Sequence, residues 1–150
     1  MRRPYLLILS LAILASCASS KSGTKIPEPE IGLEQEVGPA QLGYPYGPIE
    51  VKYNFAVQNN APIAITLTRI DIQTINPAGG AYSLRRDLYN FKQQIPPNSV
   101  GVVTLWAKAF GWGRGLRENE PVSVRCIAYF ESSGGAFQKV FLRELSQYPQ

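Results

Sequence analysis

The chain has 150 residues, 45% apolar and 17% charged, with 15 Lys and Arg against 11 Asp and Glu for a formal net charge of +4. That is enough apolar material for one packed domain, and it lacks the clustered basic stripe that nucleic acid requires. Histidine is absent, which removes the commonest general base, the Ser-His and Cys-His pairs and the favoured zinc ligand.

Arg2 and Arg3 precede an apolar run from Tyr5 to Leu14. The run is too short to cross about 30 Å of hydrocarbon as a helix, and a charged start followed by a short apolar core reads as a secretory signal peptide. Its end, Leu14-Ala15-Ser16-Cys17, resembles the lipobox of bacterial lipoproteins. The resemblance implies diacylglyceryl attachment to the Cys17 thiol and cleavage before Cys17, so that residues 1–16 are the leader and 134 residues remain. Two or three acyl chains anchor a protein stably without a membrane span. Ala18 follows Cys17 in place of the aspartate that marks inner-membrane retention in some bacteria, so the expected location is the cell envelope, at the outer membrane facing the periplasm.

Residues 17–48 comprise the lipidated cysteine and a stretch rich in Ser, Gly, Pro and Glu with few apolar side chains. Such a composition buries too little surface to offset the entropy of ordering, so it reads as a disordered tether. Its last part, "LGYPYGP", could lie along the first strand as an added edge, a position that proline permits.

From Ile49 to Gln150 the pattern is that of strands. Ile49, Val51, Tyr53, Phe55 and Val57 alternate with polar residues, giving one dry and one wet face. "QNNAP" is a turn. In "IAITLTRIDIQTI" the apolar parity is odd at Ile63, Ile65 and Leu67 but even at Ile70 and Ile72, which predicts a bulge near Thr68-Arg69. "NPAGG" turns the chain into an irregular strand, "AYSLRRDLYNF", that "IPPNS" ends. "VGVVTLWA", "VSVRCIAYF" and "FQKVFLREL" supply three more strands, the last two joined by "ESSGG". Phe55, Val57, Val124 and Phe141 are expected in the core.

About seven short strands with Gly, Pro and Asn turns predict an all-β, immunoglobulin-like antiparallel β-sandwich over residues 49–150. The order "FAVQNNAPIAITLTRIDIQT", Gly79-Gly80, "IPPNSVGVVTL" resembles LEA-2-like domains, with Asn59-Asn60-Ala61-Pro62 in place of the usual Asn-Pro-Asn corner. The resemblance covers about residues 53–105 and implies a non-enzymatic module that works beside lipids or partners.

With Cys17 assigned to lipid, Cys126 has no disulfide partner. It shares parity with Val122, Val124, Ala128 and Phe130 and reads as a buried thiol. Glu118 and Glu120 offer oxygens without the further ligand spacing of a calcium loop, and "GWGRG" has no strand-loop-helix context for phosphate. No enzyme, cofactor or metal site is therefore expected.

The stretch "WAKAFGWGRGLRENE", residues 106–120, concentrates both tryptophans among glycines and cations. It reads as a Gly-rich binding loop, with Phe110, Trp112, Arg114 and Arg117 as candidate contacts, since Trp and Arg are enriched at interface hot spots. The competing reading puts Trp106 in the core and Trp112 over the open end of the sandwich as a lid. The expected function is a lipid-anchored, non-catalytic interaction or structural module of the bacterial envelope, held to the membrane by its N-terminal lipid and docking an envelope protein. The alternative is a ligand-binding lipoprotein that recognises a glycan or small molecule through loop 106–117.

Overall fold

The computed structural model describes residues 27–38, 46–75, 80–112 and 120–146. Among them the chain forms eight strands and no helix: β1 (Glu30–Val37), β2 (Tyr46–Asn59), β3 (Ile65–Thr74), β4 (Tyr82–Leu84), β5 (Asp87–Ile95), β6 (Ser99–Trp112), β7 (Val122–Ser132) and β8 (Gly135–Leu145). They make two four-stranded antiparallel sheets, ordered β1-β2-β6-β4 and β5-β3-β7-β8. The protein is an all-β sandwich.

The period-two pattern determines which side chains lie between the sheets. Val51, Tyr53, Phe55 and Val57 from β2 meet Leu67, Ile70 and Ile72 from β3 and Val124, Cys126 and Phe130 from β7 in one buried cluster. Phe141 packs against that cluster half-buried. The parity change in β3 is a bulge between Leu67 and Arg69, present against both β5 and β7, as the sequence predicts. It keeps Ile70 and Ile72 in the core and turns Asp71 to the other face of the sheet, where the carboxylate is buried and Arg86 reaches it at 2.6 Å.

Polar groups brace the interior. The Tyr82 hydroxyl donates to Gln35 Oε1 at 2.6 Å, which leaves Tyr53 to donate to the Tyr82 oxygen at 2.5 Å. Both rings are buried, and desolvation drives both phenol pKa values up. At the predicted "QNNAP" turn, Asn59 is buried. Its Nδ2 donates to the carbonyls of Ile63 (2.9 Å), Pro96 (2.9 Å) and Ile95 (3.2 Å), while its Oδ1 accepts from Ala61 N–H at 3.0 Å. One side chain thus joins the β2–β3 turn to the β5–β6 turn. Asn98 in that second turn has φ of 52°, a conformation that asparagine tolerates.

Three expectations are corrected here. The stretch read as a disordered tether contains β1, which pairs with β2 from Glu30↔Gln58 to Val37↔Lys52 and buries Ile31 and Leu33; a few alternating apolar residues suffice when a ready-made edge receives them. The sandwich therefore begins before Ile49, and Tyr46–Pro48 belong to β2 rather than to an added edge. Finally, "AYSLRRDLYNF" is two strands in different sheets: β4 beside β6 and β5 beside β3, with the chain crossing at Arg85-Arg86. This brings the count to eight strands instead of about seven.

Candidate functional site

β6 pairs with β2 along its whole length, from Asn59↔Ser99 to Tyr46↔Trp112. Its burial alternates without a break, odd residues inward and even residues outward. The stretch read as a loop from Trp106 is thus strand as far as Trp112, with Gly111 buried against β4. Arg114, Arg117 and Cys17 lie outside the described residues.

The outer face of the β1-β2-β6-β4 sheet carries an apolar and aromatic row. Trp106 is 49% exposed, which overturns its core reading; it stands at an even position on the solvent side. Phe110 (38%), Trp112 (39%) and Tyr46 (67%) form a cluster at one end. The rings of Phe110 and Trp112 meet edge-to-face at 5.2 Å between centroids, and those of Tyr46 and Phe110 at 5.9 Å. Each such pair is an electrostatically favoured arrangement beyond its area burial. Trp112 is on the sheet's outer face, not over the sandwich interior.

Charge flanks the row. Lys52 lies directly opposite Trp106 across the strands, its Nζ 5.7 Å from the ring centroid, and also 2.6 Å from Glu36 Oε1. The Lys52 and Asn54 hydrogen bonds hold the Glu36 carboxyl below the usual carboxylate range. At the aromatic end, an open groove of about 620 Å³ is lined by Arg85, Arg86, Lys108, Phe110 and Trp112, with Asp87 as its acid. Asp87 Oδ2 accepts from the Tyr89 hydroxyl at 2.8 Å, and among the described residues neither Arg85 nor Lys108 makes an ion pair. Aromatic faces beside unpaired cations suit recognition of an extended or planar partner group.

Sequence reasoning found Phe110 and Trp112 but missed Tyr46, Lys52, Arg85 and the apolar pair Val100 and Val102, both exposed. A signal existed in "VGVVTLWA", where apolar residues occupy both parities: one set fills the core and the other has no core to fill. Cys126 is buried as expected, and burial pushes its thiol pKa up to about 12. Among the described residues no three of His, Cys, Asp and Glu come together as metal ligands would.

No protein-family model matches the chain, and no curated protein matches it in sequence. The fold is similar to that of a solved protein from Archaeoglobus fulgidus, 13% identical, with a TM-score of 0.51 over 81% of this chain and 96% of that one. A structural-genomics target designated SoR45 is 15% identical (TM-score 0.47, 80% and 86% covered), and a Bordetella pertussis target designated BeR40 is 13% identical (TM-score 0.44, 80% and 94% covered). At these identities the likeness concerns the fold alone.

Proposed function

We propose that this protein is a lipid-anchored, non-catalytic interaction module of the bacterial cell envelope, an immunoglobulin-like and LEA-2-like sandwich that docks a protein partner on the outer face of its β1-β2-β6-β4 sheet. The observation that carries the reading is the exposed cluster of Tyr46, Phe110 and Trp112 at the end of β2 and β6. Large aromatics held at fixed spacing by a strand pair lose little side-chain entropy on binding, which favours a hot spot. The lipobox supports an anchor at Cys17, with the outer membrane as the site of delivery. The groove beside Phe110 and Trp112 favours a second reading, in which the same rings hold a glycan or small molecule.

One substitution separates these readings. Trp112→Ala should leave the melting temperature near the parent's, because the ring packs mainly on Phe110 at the surface. Capture of the protein partner from solubilised envelopes should weaken by about thirtyfold, the equivalent of a 2 kcal/mol hot spot. Unchanged capture with lost binding to peptidoglycan fragments would replace the first reading by the second. A large drop in melting temperature would make Trp112 a structural residue and end both.

A further inference from the structure

We infer that the free edge of β6 between Val100 and Trp106 receives an extended segment of a partner polypeptide as an added β-strand. Two observations give the direction of the backbone groups. Trp112 N–H donates to Ala81 O on the β4 side at 3.3 Å. On β1, the carbonyls of Pro29 and Ile31 point away from β2, toward Lys139 and Arg143 of β8, which fixes the alternation across β1, β2 and β6. The even residues of β6 therefore aim N–H and C=O at the β4 side.

β4 pairs only with Ala109, Phe110 and Gly111. Among the described residues, Val100, Val102, Thr104 and Trp106 thus present a row of backbone donors and acceptors with no strand beside them, repeating about every 6.8 Å. Such a row is complementary to another extended backbone and to little else. The other edges are guarded. Lys139 and Arg143 bond the outer carbonyls of β1, β5 carries Asp87, Lys92, Gln93 and Gln94, and β8 carries Gln138, Lys139, Arg143 and Glu144. From Val100 to Trp106 there is no charge and no proline, the devices that normally blunt an edge.

The space beside this edge is one strand wide. The opposite sheet continues past β6 with β5, whose inward side chains are Tyr89, Phe91, Gln93 and Ile95, opposite Ile70, Leu67 and Ile65 along β3. Ile95 is buried, Tyr89 and Phe91 are half-buried, and Gln93 is exposed although it faces inward, because β4 is too short to roof them. An isolated extended segment would fill that notch with one row of side chains on Phe91 and Tyr89 and the other beside Val100, Val102 and Trp106. A second whole sandwich paired there would drive β5 into its neighbour's β3. Arg85 and Lys108 at the β4 end favour an acid at one end of the segment. This deepens the docking reading above and rests on it for the class of partner, but the edge is tested directly.

The measurement is amide hydrogen exchange on the full chain, with a ~9-residue peptide of alternating valine and threonine, glutamate at both ends and blocked termini, as the probe. In the free chain the amides of Val102, Thr104 and Trp106 should exchange at least about a hundredfold faster than those of Val103, Leu105 and Ala107, which bond β2. Saturating peptide should slow the even set about tenfold or more, and N-methylation of the peptide on its β6-facing amides should remove the effect, whereas methylation on the alternate amides should not. Thr104→Pro deletes one edge donor at a position where proline is tolerated, and should weaken the peptide about tenfold. Even amides already protected in the free chain, no slowing at saturating peptide, or equal sensitivity to both methylation patterns would each overturn the proposal. If Trp112→Ala loses the envelope partner yet binds the peptide normally, the edge stands apart from the aromatic hot spot.

Discussion

Single side chains in this sandwich are held by what surrounds them across the core. Cys126 lies between Val124 and Ala128 on β7, and burial first, then the charge of Asp71, raises its pKa to about 12. An unfolded thiol ionises near pH 8.5, so between about pH 9 and 12 the unfolded chain binds fewer protons than the folded one. Stability must then fall as pH rises through that window, by up to about 1.4 kcal/mol per pH unit from this group. Cys126→Ala should flatten the stability-against-pH curve over the same range, read by denaturant unfolding at pH 9 and 10.5. Equal slopes for parent and variant would mean that the thiol is not desolvated in the folded state. The buried Tyr53 and Tyr82 act in the same direction and remain in both proteins, so the difference isolates Cys126.

Among the elements, β1 and β4 decide how the sheet edges behave. β1 buries Ile31 and Leu33, worth about 1.5–3 kcal/mol each, and it covers the backbone groups of Asn54, Ala56 and Gln58. A chain lacking residues 27–37 should lose several kcal/mol on urea unfolding and self-associate through the bared edge of β2; a melting temperature equal to the parent's would restore the tether reading. Pro48 fits this arrangement, since its missing N–H faces the β1 side beyond the last pair, Val37↔Lys52, where no ladder bond among the described residues is lost. Gly101 sets the other limit. A Cβ there would sit 2.7 Å from Ile95 Cγ1 and 3.0 Å from its Cδ1, so Gly101→Ala should cost about 1–3 kcal/mol, and Ile95→Ala, which removes both atoms, should cost less in that variant than in the parent, measured as paired melting curves.

For the molecule as a whole, the proposed anchor places the sandwich at a membrane while its aromatic face and β6 edge stay available. Cys17→Ser removes the acceptor atom for lipid, so the chain should lose membrane partitioning and keep its leader, as read by fractionation and mass; a processed, membrane-bound variant would end the anchor proposal. Strand identity was legible in the sequence wherever one face is dry, because a half-buried strand writes its burial as alternation: Val51 to Val57, the parity change at Thr68-Arg69 and the inward Cys126 all follow from local pattern. Phe110 and Trp112 could be singled out by residue type. Three things could not be read locally. Whether Glu30–Val37 orders depends on the β2 edge that receives it. Whether the Arg85-Arg86 stretch continues one strand or changes sheets depends on which neighbour, β6 or β3, is in reach. Whether Trp106 is core or surface depends on which parity of "VGVVTLWA" meets the opposite sheet. In each case the deciding free energy comes from residues far along the chain, so the sequence by itself determined an alternating all-β chain, and only the tertiary structure decided which edge lies unpaired among the described residues and which face keeps its aromatics exposed.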